Sequence, residues 1–407
     1  MKKNNLIQVF EYQKLKYTDT NDFTESHLNE LVKFNELNSN KFFTPIHNGI
    51  QFNSYVGVIQ VGKLIIEILP KADRNESPNV NLWQEVLLDM LKICNELKVD
   101  NTSESSLKIK NNSILDLYFE MYLNELESLI HKGLIKKYRK LRSNQTALKG
   151  KLLFSQNIQK NNVHQEYFYC EHNTYDKDHL IHQILLKGLL VLDCLVSANL
   201  KDKVNRLLSY FEDIQRVNIN KSHFDKIVNN RKNTHYQKAL SIAKMIILNY
   251  SPNLNSGSNN MIALLFDMNK LWEEYIFRIL LKNASEEYEV SYQNSEDFWE
   301  YKTIRPDIVI KAKNQTYIID TKWKIVDNTN PSDNALKQMF TYNLHWEAKR
   351  SILLYPKIDQ KDSKFGIYHY NGLEYKCKLG FVNLISNEGK LRNGKELSSE
   401  ILDKFKN

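Results

Sequence analysis

A chain of 407 residues, 42% of them hydrophobic, is long enough to bury more than one core, which excludes a disordered tail and points to two or three domains. Four cysteines, Cys94, Cys170, Cys194 and Cys377, stand far apart without a CxxC pair, so neither a disulfide framework nor a cysteine-built zinc site is encoded, and a reducing cytoplasm is the expected setting. The formal net charge of +8 permits a phosphate-bearing partner without requiring one.

The opening residues MKKNNLIQVFEYQKL interrupt their apolar positions too soon for a signal-peptide core. From Leu6 to about Lys71 the pattern is short and strand-like, and the runs Tyr55 to Val61 and Lys63 to Pro70 flank Gly62 as a hairpin. Two helices are expected next, Asn81 to Leu97 and Ser113 to Ile130, because their apolar residues recur three and four apart.

Between Lys132 and Lys151 lies a basic cluster that includes Lys136, Lys137, Arg139 and Lys140, with Tyr138 among them. It reads as a strip for phosphates or a partner, with a solvated connecting face as the plainer alternative. A helix follows from Asp178 to Leu200. Its most apolar stretch, from Ile184, carries Lys187 and Asp193, which marks a buried helix and not a membrane span. His172, His179 and His182 lack a metal-binding spacing and read as helix and loop residues. Further helices are expected from Val204 to Tyr250, and SPNLNSGSNN, Ser251 to Asn260, is the clearest linker.

Beyond the linker an amphipathic helix is expected over Met261 to Lys282. Strands follow at Ile304 to Lys311 and Thr316 to Lys324, then a helix from Ser332 to Trp346 and a strand at Ser351 to Tyr355. Gly389 to Glu396, GKLRNGKE, imitates a phosphate-binding loop, but Glu396 stands where such a loop needs Ser or Thr and too little chain follows it. No nucleotide site is expected in this chain.

The two strands carry the chemistry. A hairpin with its turn centred between Lys313 and Asn314 sets Asp307 opposite Asp320, and directly opposed residues have Cβ atoms roughly 5 Å apart. Lys322 lies two residues beyond Asp320 and shares its face. Two carboxylates so placed can share a hard divalent cation, Mg²⁺ or Mn²⁺, and a lysine beside them can orient water or meet developing charge. Such a set suits hydrolysis of a phosphodiester. An Asp, a second carboxylate and a Lys at this spacing recur in unrelated chains, so their neighbours matter. Apolar residues on both sides of the acids imply burial, which is costly for a charge that is neither paired nor bound to metal. Gln338 and Tyr342 share a face of the following helix, and Glu273 on the preceding helix can supply a further acid.

The runs RPDIVI, IIDTKWK and DNALKQMFTY resemble the PD-(D/E)XK nucleases and, within them, the McrC family of restriction subunits. GVIQVGKLIIEILPK (Gly57 to Lys71), KGLIKKYRK with the later LKGKL, and DMNKLWEEY (Asp267 to Tyr275) extend the resemblance over nearly the whole chain in the same order. Two departures are His182, where the family often has Asn, and Trp272, where Phe is commoner. The resemblance implies Asp307 and Asp320 as metal-binding acids, Lys322 as the catalytic lysine, Gln338 and Tyr342 as the helix motif after the core, and Glu273 as a further metal ligand. It implies a multi-domain α/β (α+β) chain: a β-rich N-terminal docking domain (1–105), a helical middle (106–255) and a PD-(D/E)XK restriction-endonuclease-like domain with a central mixed sheet (256–407). The implied activity is Mg²⁺-dependent cleavage of double-stranded DNA, directed to methylated cytosine by an McrB-like AAA+ ring that binds GTP in place of this chain. A non-catalytic activator of such a ring and a self-sufficient recombination nuclease are the alternatives.

Overall fold

The computed structural model describes residues 5–72, 79–94, 113–196, 198–228, 230–251, 260–283, 285–312, 315–324, 326, 331–357, 362–370, 372–386 and 391–406. These fall into two compact units, one within Gln60–Gly62 and Leu107–Leu264, the other within Asn5–Ile59, Lys63–Ser106 and Leu265–Asn407. No helix among the described residues is long and apolar enough to cross a membrane.

The first unit is built on helices Ile114–Lys132, Leu180–Leu195, Ala198–Ser209 and Gln237–Leu248. Ser113 caps the first of them by accepting from Asp116 N at 3.1 Å. Gly188 lets Leu180–Leu195 approach Tyr122, whose hydroxyl donates to Leu185 O at 2.7 Å; a Cβ at Gly188 would lie 2.5 Å from that hydroxyl oxygen.

Most of the basic cluster lies on a strand and not on a connection. Lys137–Gln145 is a strand, paired antiparallel with Phe168–Asp176, which also pairs with Lys151–Leu152. Its sequence shows no apolar alternation because cross-strand side-chain pairs hold it instead of a buried face. Tyr138 and Tyr175 sit opposite each other with ring centroids 4.7 Å apart, and Arg142 pairs with Glu171 at 2.7 Å.

The expected helix from Met261 begins instead as a strand, Met261–Asp267, paired antiparallel with Tyr250–Ser251; the helix proper is Met268–Asn283. A continuous apolar run such as IALLF satisfies both periods, and burial of Met261 to Leu264 selects the strand. Asp267 then caps the helix, its Oδ1 accepting from Asn269 N at 3.0 Å. Most of the expected linker, 252–259, lies outside the described residues.

In the second unit Asn5–Phe10 runs parallel to Leu64–Leu69, and Tyr55–Val61 lies beside the latter as the expected hairpin partner. Lys14–Lys16, Gly49–Phe52 and Phe43–Ile46 form a small antiparallel sheet. The expected helix at Asn81 is Val80–Ile93; residues 95–97 of that expectation lie outside the described set.

A six-stranded mixed sheet is the frame of the site. In spatial order its strands are Tyr288–Tyr292, Ile308–Ala312, Gln315–Thr321, Arg350–Pro356, Leu373–Val382 and Gly366–Tyr370. The first three are antiparallel, the next two join in parallel, and the last returns antiparallel. Helix Asp333–His345, capped by Ser332, makes the crossover between the parallel strands Gln315–Thr321 and Arg350–Pro356. Its Met339 and Tyr342 pack with Trp346 on Val309, Ile318, Leu353, Leu379 and Phe381 of the sheet. Helices Met268–Asn283 and Gly394–Asp403 pack together and also contact the sheet.

Candidate active site

Strand pairing brings the two acids together in the expected register. Ile308 pairs with Ile319, Val309 with Ile318 and Ile310 with Tyr317, so one further step places Asp307 opposite Asp320. The turn residues Lys313 and Asn314 lie outside the described set. Asp307 itself stands just before its strand, after Pro306. The proline has no N–H to give, and the ladder between these two strands ends there. The amide of Thr321 turns to the Asp307 carboxylate instead: Asp307 Oδ2 accepts from Thr321 N at 2.7 Å and from Thr321 Oγ1 at 2.9 Å.

Asp320 is 1% exposed and alternates with Ile319, so it shares the face of Ile318 that helix Asp333–His345 covers. Lys322 Nζ lies 2.7 Å from Asp320 Oδ2. Apart from this ion pair, Oδ2 is fully enclosed and accepts no hydrogen bond among the described residues. Burial, then the neighbouring Asp307, push the Asp320 carboxyl up to about 6, against the pull of Lys322. Burial also raises Asp307, against the two Thr321 donors and the charges of Lys322 and Arg305. Burial opposes the charge on Lys322, but the carboxylates of Asp320, Asp307 and Glu273 together outweigh it and hold the ammonium above its ordinary value.

Glu273 on helix Met268–Asn283 belongs to the same electrostatic neighbourhood, its carboxyl raised by burial and by Asp307. Its Oε1 accepts from Gln293 Nε2 at 2.6 Å, and Gln293 N donates to Asp307 O at 2.9 Å. Gln293 adopts a left-handed backbone, φ 48°, to make both contacts. Among the described residues no group of three His, Cys, Asp or Glu side chains is arranged to hold a metal ion. In this arrangement Gln293 holds Oε1 of Glu273, the expected third acid.

Gln338 and Tyr342 act as a pair, as their helical spacing suggested. Gln338 Nε2 donates to Tyr342 Oη at 2.8 Å, and Tyr342 Oη donates to Arg305 O at 3.1 Å, which fixes the segment that carries Asp307. Of the basic cluster, Lys136, Lys137 and Lys140 are exposed, whereas Arg139 binds Asp176 and Asp178 at 3.0 and 3.2 Å. All four lie in the first unit, and the paired acids in the second.

Sequence reasoning missed Thr321 and Gln293. Pro306 marks where the ladder stops, but a proline withholds a donor and keeps its carbonyl, so it does not announce that the Thr321 amide turns to a side chain. Gln293 gave no signal, because a left-handed glutamine has no distinctive sequence.

Chemically, the site is a buried and a half-buried carboxylate on adjacent strands with one ammonium for company. Two carboxylates side by side, offering only oxygen donors and sharing a single ammonium, suit a hard cation with oxygen ligands.

The fold and this pair define a mixed α/β protein with a buried acidic site at one end of a sheet. A family model described as "McrBC 5-methylcytosine restriction system component" matches residues 50–356, and the chain belongs to that family. Comparison with curated proteins finds no match. Two solved structures from Thermococcus gammatolerans are similar. One is described as a refined half-complex from a tetradecameric assembly of McrB AAA+ hexamers with bound McrC; it is 18% identical, with 98% of this chain and 100% of that chain covered and a TM-score of 0.73. The other, a cryo-EM structure of the McrBC complex, is 20% identical, with 69% of this chain and 89% of that chain covered and a TM-score of 0.51. At these identities the likeness is one of fold.

Proposed function

We propose that this chain is the McrC-type nuclease subunit of a McrBC-like restriction system and that its six-stranded unit is a PD-(D/E)XK nuclease core. In this reading it hydrolyses phosphodiester bonds of double-stranded DNA while docked on an McrB-like AAA+ GTPase ring that selects methylated DNA. The observation that carries the reading is the opposition of Asp307 and Asp320 across adjacent strands with Lys322 beside them. The T. gammatolerans assemblies, described as McrB hexamers with bound McrC, support the choice of partner.

Asp307 and Asp320 are the residues that would hold Mg²⁺. The bound ion supplies charge neutralisation for the pentacoordinate transition state and makes water more acidic. Lys322, held charged beside Asp320, is placed to steady negative charge on the reacting phosphate as water adds and the P–O bond to the leaving oxygen breaks. Gln338 and Tyr342 keep the Asp307 segment in place. The exposed Lys136, Lys137 and Lys140 are candidates for contact with the DNA backbone; Arg139, already bound to two aspartates, is the weakest of the four.

The test is Asp320→Ala, assayed for DNA nicking with the AAA+ partner, GTP and Mg²⁺. Loss of cutting with stimulation of the partner's GTP hydrolysis retained is the expected result. Cutting at the wild-type rate rejects the assignment, and a wild-type chain that stimulates GTP hydrolysis but never cuts leaves only an activator.

A further inference from the structure

Thr321 sits between the two charged residues of the D-T-K run, buried, with both of its donors on the same oxygen of a residue fourteen positions away. A strand residue in this place needs only its amide satisfied, and valine or isoleucine, favoured in strands, would fill the same space. The hydroxyl adds something specific: a second bond to Asp307 Oδ2, so that this oxygen is held from two directions. Among the described residues Asp307 Oδ1 accepts no hydrogen bond, which leaves it as the oxygen available to a ligand.

We propose that Thr321 is a positioning residue for the cation site: by fixing Asp307 Oδ2 with its amide and hydroxyl, it sets the carboxylate plane in which Oδ1 is offered to a divalent cation shared with Asp320. This deepens the nuclease reading and rests on it. Outer hydrogen bonds of this kind orient a ligating carboxylate before the ion arrives, and their loss typically weakens metal affinity by roughly 10–100-fold. The ladder between the two strands stops at Ile308 and Ile319, and beyond it the Thr321 amide is given to the Asp307 side chain.

The experiment is Mn²⁺ binding to the full-length chain, free of DNA and partner, by isothermal titration calorimetry. Four variants are compared with wild type: Thr321→Val, Thr321→Ala, Thr321→Ser and Asp320→Ala. Valine keeps the shape and the amide but loses the hydroxyl, and alanine loses the hydroxyl without setting a methyl group against Oδ2. Both are expected to bind Mn²⁺ about tenfold more weakly, while serine returns affinity to within about twofold of wild type and Asp320→Ala abolishes binding. In the cleavage assay the Mg²⁺ concentration for half-maximal rate rises by the same factor in Thr321→Val. Valine and alanine variants that bind like wild type, or a serine variant as weak as valine, overturn the role of Thr321 while a silent Asp320→Ala keeps the cation site. A wild-type chain that takes up no Mn²⁺, or an Asp320→Ala chain that takes up as much, overturns both together.

Discussion

The indole N–H of Trp323 donates to Glu11 Oε1 at 2.6 Å, which ties the residue after Lys322 to the end of the first strand of the chain. The same carboxyl oxygen accepts from Lys71 N at 3.0 Å, and Trp323 packs against Trp272, next in sequence to Glu273. A carboxyl 5% exposed thereby holds the residue next to Lys322 with two donors on one oxygen, and its Oε2 accepts no hydrogen bond among the described residues.

Burial pushes Glu11 up to about 7, against the pull of Lys71 and Trp323. An acid whose folded value lies above its unfolded value binds more protons in the native state, so stability falls as pH rises from about 4.5 to about 7 and stays low above that. Glu11→Gln keeps the acceptor and removes the charge. Thermal melts should show the variant more stable than wild type by roughly 2 kcal/mol at pH 8 and close to it at pH 5. Equal pH dependence of the two proteins would contradict a buried, titrating Glu11.

His182 has the opposite sign. It is fully buried, with Nδ1 2.7 Å from Lys177 O and Nε2 3.2 Å from Tyr236 Oη, which itself accepts from Ile135 N. The network assigns Nδ1–H as donor and Nε2 as acceptor of the tyrosine proton, a neutral ring. Burial, then the nearby His179, push His182 down to about 3. The unfolded chain binds the proton first, so stability is lost as pH falls below about 6.5, by about 2 kcal/mol between pH 7 and 5. His182→Asn can still donate to Lys177 O and does not titrate. Urea melts at the two pH values should show the loss in wild type and not in the variant.

Tyr342→Phe removes the hydroxyl that joins Gln338 to Arg305 O and leaves the ring packed among Val309, Ile318 and Trp346. The fold should survive with a loss of about 1 kcal/mol. Under the nuclease reading, cleavage should fall by about tenfold, because the segment carrying Asp307 loses its tether. A rate unchanged within twofold would show that the Arg305 contact does not hold the site.

Arg139 and Lys140 are neighbours in the basic cluster with opposite fates. Arg139→Ala leaves the buried Asp178 without its counter-ion and should destabilise the protein by roughly 2 kcal/mol, after allowance for the arginine's partial exposure. Lys140 has a side chain 74% exposed and lies 3.9 Å from Glu171. Its replacement by alanine should change stability by less than about 0.5 kcal/mol. Chemical denaturation of both variants separates the two roles.

The pairing of Ile308 with Ile319 was legible because both strands are apolar between their charged ends, and a two-residue turn leaves one register that keeps those ends together. The strand Lys137–Gln145 was not, since its order comes from Tyr138 meeting Tyr175 and Arg142 meeting Glu171, partners some thirty residues on that no local period announces. Met261–Asp267 reads equally as helix because an unbroken apolar run fits either period. In the site, Asp307, Asp320 and Lys322 could be placed from two adjacent strands alone. Thr321 and Gln293 required the direction of individual donors, which hydropathy does not encode. The contact of Glu11 with Trp323 lay beyond reach for a simpler reason: nothing in either segment names the other.

That contact spans 312 positions. At ordinary rates of translation, about 5–20 residues per second, Glu11 leaves the ribosome roughly 15–60 s before its indole partner. The stretch Leu107–Leu264, most of the first compact unit, emerges in the interval. A product that stops short of Trp323 therefore lacks the bond that ties the strand of Asp320 to the beginning of the chain.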